Sequence, residues 1–124
     1  MCNNNGNCIA EILEKILMLQ QQNNTNITLG CERPFIPNNT LANTRPINLY
    51  CCCTNSIWTM PYNYNDEEGT SSTFRVENVN ENTATLRILI NDNGTITATD
   101  NFFTIDLDYI SCIKCLQDTL ITNI

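Results

Sequence analysis

Apolar residues recur near the start of the chain at the spacing of a helix. Ile9, Ile12, Leu13, Ile16 and Leu17 stand at i, i+3, i+4, i+7 and i+8, and Leu19 widens the stripe, so residues 8–22 are predicted to form one amphipathic helix. Asn7 is placed to cap it, and Glu11 precedes Lys15 by four residues, the favourable order for a charge pair on a helix surface. Beyond Gln22 the periodicity is gone, which ends the helix. From residue 47 onward the period changes to two. Ile47, Leu49, Cys51 and Cys53 would share one face of an extended strand, with Asn48, Tyr50 and Cys52 on the other. Phe74 and Val76 alternate with Arg75 and Glu77. Leu86, Ile88 and Ile90 alternate with Thr85, Arg87 and Leu89, and Phe103, Ile105 and Leu107 with Thr104, Asp106 and Asp108. Residues 80–82 read as a hairpin closure, and Asn93-Gly94 as a type I′ turn leading into a Thr-rich strand over residues 95–99. Arg33-Pro34, Arg45-Pro46 and Met60-Pro61 mark loops or edge strands, because proline cannot donate to a ladder.

These elements predict a mainly β chain, a single-domain β-sandwich or jelly-roll-like fold with one N-terminal amphipathic helix. Residues 1–7 would be a flexible arm, 8–22 the helix and 23–124 the β-sandwich domain. Length agrees: 124 residues with 42% hydrophobic content suffice for one core and not for two.

Charge narrows the function. Only 15% of residues are charged, so the polar surface falls to 21 Asn and 16 Thr. A net charge of −7 without a Lys or Arg cluster argues against nucleic acid as a partner. The absence of histidine excludes Ser-His-Asp and Cys-His nucleophile systems and His-ligated metals within one chain. The first apolar stretch carries Glu11, Glu14 and Lys15, unlike a signal peptide, and no apolar run is long enough to span a membrane. Synthesis in a reducing cytosol is expected, and no cofactor is implied.

Against that background the cysteines are the candidate chemistry: Cys2, Cys8, Cys31, Cys51, Cys52, Cys53, Cys112 and Cys115. If residues 51–53 are extended, at least one of the three thiols looks outward. Adjacent cysteines resist bridging, since their Cα atoms lie about 3.8 Å apart, below the disulfide range of roughly 4.4–6.8 Å. Their partners must lie elsewhere, unless two of the three serve as small core hydrophobes. Cys112-Ile113-Lys114-Cys115 has the spacing of a zinc half-site or a redox pair, and a four-thiolate site would have to recruit Cys2, Cys31 or the triplet. Asp66-Glu67-Glu68-Gly69 lacks the alternating oxygens of a calcium loop and reads as a solvated tip.

Several strings resemble a known family. They are Cys31-Glu32-Arg33-Pro34-Phe35, Leu41-Ala42-Asn43-Thr44-Arg45-Pro46-Ile47-Asn48-Leu49-Tyr50, Thr73-Phe74-Arg75-Val76-Glu77, Ala84-Thr85-Leu86-Arg87-Ile88-Leu89 and the ending Ile105-Asp106-Leu107 with Cys115-Leu116. Together they are similar to the CotY, CotZ and ExsY cysteine-rich proteins of bacterial spore coats and exosporia. The resemblance implies a non-enzymatic shell protein made in the mother-cell cytosol and placed at the spore surface. It would assemble with copies of itself and with other coat proteins into hexagonally ordered sheets cross-linked through cysteines. Cys8, Cys31 and Cys115 are the positions most in line with the family, whereas the triplet departs from it, and Tyr109 and Ser111 stand where cysteines often occur. Cys2 and Cys8, one or more of the triplet, and Cys112 or Cys115 are the expected cross-linking participants. Three alternatives stay open: a zinc-thiolate interaction module, a monomeric adhesin with internal bridges, and a filament in place of a lattice.

Overall fold

The structure, a computed structural model, describes residues 8–21, 31 and 42–124. Helix α1 (Cys8–Gln21) precedes seven strands: β1 (Ile47–Cys51), β2 (Met60–Tyr64), β3 (Glu67–Ser71), β4 (Thr73–Asn80), β5 (Thr83–Asp92), β6 (Thr95–Asp106) and β7 (Ile110–Cys115). A 3₁₀ turn, Leu107–Tyr109, links the last two. Five strands form an antiparallel sheet in the order β6-β5-β4-β1-β7, and β2 pairs with β3 in a small second sheet. The chain is mainly β with one N-terminal helix, as its hydrophobic pattern predicts.

The stripe on α1 is buried as its spacing demands. Leu13 and Ile16 are fully buried, Ala10 and Leu19 nearly so, and Ile9, Ile12 and Leu17 are partly covered. All but Leu19 belong to one cluster with Ile47 and Leu49 of β1, Phe74 and Val76 of β4, Ala84, Leu86 and Ile88 of β5, and Ile105 of β6. Trp58, Met60 and Tyr62 pack on the same cluster. Helix and small sheet thus form one layer and the five-stranded sheet the other, in a sandwich-like arrangement. Each buried Leu, Ile or Phe contributes about 1.5–3 kcal/mol by leaving water.

Turn chemistry sets the hairpins. Asn93 and Gly94 both have positive φ, +54° and +88°, the type I′ geometry whose twist matches the flanking strands. The β4–β5 hairpin closes through Glu81 and Asn82, with Glu81 at φ +55°. A third hairpin, β2–β3, turns at Asn65 and Asp66, at φ +52° and +65°, in a region that carries no strand in the sequence reading. Glu67 and Glu68 of the acidic tip are therefore strand residues, still exposed. Tyr62 faces Gly69 across this hairpin, where a Cβ would stand 2.7 Å from the phenol oxygen, so a larger residue there would require the ring to shift.

Residues 95–99 and 103–107, expected as separate strands, belong to one: β6 runs on to Asp106, with Leu107 beginning the 3₁₀ turn. An irregularity between Ala98 and Phe102 lets it stay paired with β5 throughout. There the buried Thr99 hydroxyl donates to the Ile88 carbonyl at 2.8 Å and accepts from the Asn101 N–H at 3.1 Å. On the face of β5 away from the helix, Leu89 is buried with Ala98 and Ile121, while Ile90 is only partly covered.

The asparagine richness has a structural use. Three Asn side chains clip onto backbone as if they were strand neighbours, each accepting one N–H and donating to one C=O. Asn43 does so to Ile121, Asn101 to Asn63 and Asn123 to Ala98. They fasten the C-terminal segment and the small sheet without charge. Where the C-terminal segment meets β1, a fully buried ion pair joins them: Arg45 Nε to Asp118 Oδ1 at 2.7 Å, with Nη2 to Oδ2 at 3.0 Å. Arg45 also donates to the Cys31 carbonyl at 2.6 Å, and its backbone N–H to Gln20 Oε1 at 3.1 Å. Helix, residue 31 and C-terminal segment thus meet on one residue, Arg45, just ahead of β1.

Candidate cross-linking site

Strand β1 stops at Cys51, two residues short of the extended run expected from period-two spacing. Thr54, Asn55 and Ser56 are the cause, because their side chains and Asn55's tolerance of left-handed backbone favour a turn over a ladder. Asn55 lies at φ +55°, and its N–H donates to the Cys51 carbonyl at 2.9 Å. The Cys51 N–H donates to Ser56 O at 2.9 Å and the Cys52 N–H to Tyr109 O at 2.8 Å. The Thr54 and Ser56 hydroxyls lie 2.6 Å apart. Cys52 and Cys53 are consequently exposed on the turn and Cys51 is half-buried, so none of the three is a core residue.

The three thiols are not equivalent. The Cys52 and Cys53 sulfurs are 3.8 Å apart, and the Cys52 sulfur lies 3.5 Å from the Asp108 carbonyl oxygen. The Cys53 backbone N–H, directed at the Cys51 sulfur, holds that thiol below the ordinary cysteine range; desolvation opposes it, and the Thr54 N–H and hydroxyl assist. Cys53 is pushed the other way, first by its hydrogen bond with Cys52, then by the charges of Cys52 and Cys51.

The neighbouring strand settles the Cys-x-x-Cys spacing. Cys112 is paired with Tyr50 and Cys115 with Ile47. On a strand, residues three apart face opposite ways, so Cys112 is exposed while Cys115 turns toward the core. The two sulfurs of this spacing therefore point to opposite faces of β7, away from the geometry that the zinc half-site alternative needs. Among the described residues, no three His, Cys, Asp or Glu side chains are grouped to hold a metal.

Cys115 is bonded to Cys31, with Cα atoms 5.6 Å apart and a separation of 84 positions in sequence. Closing such a loop in the unfolded chain stabilises the fold by about 4–5 kcal/mol on the chain-entropy account. Cys8 is also disulfide-bonded, and Cys2 lies outside the described residues. Cys8, Cys31 and Cys115 are thus disulfide-bonded, and the free thiols among the described residues are Cys51, Cys52, Cys53 and Cys112. All four stand on β1 and β7 or the turn that follows β1, and β7 is an edge of the large sheet.

Among the described residues no helix is long and apolar enough to cross a membrane. A family model described as spore coat protein Z matches residues 2–97. Neither the curated proteins nor the solved structures contain a match.

Proposed function

The chain belongs to the spore coat protein Z family, a structural protein of the spore surface, and from that premise we propose a non-enzymatic subunit that assembles with its own copies. In this reading the copies form an ordered array, alongside other coat proteins, and disulfides between chains secure it. Cys51, Cys52, Cys53 and Cys112 supply the links.

The observation that carries the reading is the sorting of the cysteines by place. One set is engaged in bonds, with Cys31 and Cys115 closing the chain on itself, and the other is free and largely exposed at one region of the sheet. A non-covalent contact worth a few kcal/mol dissociates readily, whereas a disulfide across it yields only to thiol exchange. Uncharged Asn and Thr surfaces help identical, negatively charged subunits approach, since they lose less hydration than Lys or Glu. Synthesis in the reducing mother-cell cytosol, followed by oxidation as the layer matures, keeps the thiols available until the copies are in place.

Boiling oxidised protein in detergent tests this. Multimers are expected without reductant and monomers with it. A variant with Cys51, Cys52, Cys53 and Cys112 all changed to Ser should run as monomer in both. Wild-type monomers without reductant would overturn the reading.

A further inference from the structure

Subunits that each carry a net charge of −7 repel one another unless opposite charges meet at their contacts. We propose that Arg87 and Phe102, on the face of the large sheet away from the helix, form a carboxylate-binding site whose occupant is the acidic tip of the β2–β3 hairpin, residues 66–68, on a second copy. The proposal rests on the assembly of copies put forward above and names the surfaces that bring them together.

Strand register builds the site. Arg87 of β5 stands directly opposite Arg75 of β4 on one side and Phe102 of β6 on the other. Its neighbours Leu86 and Ile88 belong to the core beneath the helix, so the alternation of the strand sends Arg87 to the other face. Two guanidiniums facing each other across strands repel, and a single carboxylate, Glu77, lies within reach of both. Arg75 takes it: Nη1 donates to Glu77 Oε2 at 2.7 Å, while Nε donates to the Thr44 hydroxyl at 2.9 Å and Nη2 to the Asn43 carbonyl at 3.3 Å. Arg87 is left with that same oxygen 3.6 Å from its Nε, too far for a hydrogen bond. Its side chain is only 16% exposed, yet among the described residues it donates no hydrogen bond, and its buried Nε has no partner. The guanidinium lies instead 4.4 Å from the centre of the Phe102 ring, which is itself 47% exposed. A guanidinium fork without partners matches the two oxygens of one carboxylate, and an exposed aromatic beside it supplies apolar contact for the segment that brings them.

The location of the acids selects the occupant. Asp66, Glu67 and Glu68 are exposed where the β2–β3 hairpin turns, and among the described residues none of them pairs with a cation. Asp92 borders the same hollow as Glu67, which concentrates negative charge at that end of the molecule. The hairpin lies in the layer of the helix, since Met60 and Tyr62 pack on the core, whereas Arg87 is on the opposite face of the large sheet. The sheet therefore stands between a copy's acidic tip and its own Arg87, and the tip that fills the site comes from a neighbour. Tip and site are different surfaces, so each pair of copies still offers one unfilled tip and one unfilled site, and the contact repeats from copy to copy.

The test uses the full-length chain with Cys51, Cys52, Cys53 and Cys112 changed to Ser, so that sedimentation reads association without covalent links. Reversible association is expected at low salt, weakening by about ten-fold or more as salt rises from about 0.02 to about 0.5 M. Arg87→Gln, which keeps most of the side chain and removes its charge, should weaken it by about ten-fold or more at low salt, and so should the tip variant Asp66→Lys, Glu67→Lys, Glu68→Lys. An Arg87→Glu variant mixed with the tip variant should form a complex that neither forms alone. Association unchanged in the tip variant, whose exposed positions leave the fold intact, would overturn the proposal by itself, as would association unchanged in Arg87→Gln. Such a result alongside reductant-sensitive multimers of the wild type would remove this contact and spare the assembly reading. A salt-sensitive, Arg87-dependent complex without those multimers would sustain the contact and remove the disulfide links instead.

Discussion

Two regions of this molecule use the same side chain for opposite ends. At the corner where Cys31 meets Cys115, sulfur is spent on a bond within the chain, and the Arg45 guanidinium satisfies both the Cys31 carbonyl and the buried Asp118 carboxylate. At the end of β1 the thiols stand unbonded on an exposed turn. Strand direction and turn placement separate the two, not residue type. Cys115 and Cys112 are three residues apart, and the alternation of a strand is enough to send one to the core and the other to solvent. A cysteine-rich composition says nothing about this division until the pleat is known.

The comparison can be broken most directly at the closed corner. Replacing both Cys31 and Cys115 by Ser, in a background where the four free thiols are also Ser, should lower the unfolding free energy by about 4–5 kcal/mol in a urea titration. No change would mean that this bond does not hold the corner. Asp118→Ala leaves the Arg45 charge buried without its partner and should cost about 3–5 kcal/mol in the same assay. Asn43→Ala removes both clip bonds to Ile121, with an expected loss of about 1–3 kcal/mol and faster amide exchange at Ile121. The four-fold Ser variant of the exposed thiols should shift stability by no more than about 0.5 kcal/mol while abolishing reductant-sensitive multimers. A large loss of stability there would erase the contrast between the regions.

The finest test concerns pH. Because Cys51 is held below the ordinary thiol range and Cys53 above it, lowering the pH should leave Cys51 as thiolate after Cys53 is fully protonated. Alkylation read by mass mapping should accordingly fall for Cys53 first. Equal decline of both would show that the turn does not distinguish them.

What could be read from the residues alone was whatever depended on near neighbours. The stripe from Ile9 to Leu19, the alternation of Phe74 with Arg75, and the Asn93-Gly94 turn each rest on periodicity or one residue's backbone preference, and each stands in the fold. The hairpin at Asn65 and Asp66 had a signal too, since Met60, Tyr62 and Tyr64 alternate before turn-forming residues, but Pro61 and the acids obscured it. Period-two spacing carried β1 too far because Thr54, Asn55 and Ser56, the residues that stop it, lie just beyond the cysteines. The Arg45–Asp118 pair spans 73 residues and the Cys31–Cys115 bond 84, and no local preference encodes partners so distant. Such pairings follow only from which strands become neighbours.

The position of β1 within its sheet carries a mechanical consequence. It lies between β4 and β7, and most of its partners are on β7, whose last residue is the bonded Cys115. A pull applied through a link at Cys51 would run lengthwise along β1 and load its hydrogen bonds to β7 in shear, all together instead of one at a time. In a layer of the kind proposed above, swelling by water would pass tension from one chain's exposed turn into the stapled interior of the same chain, where the bonds loaded in shear would have to give way together.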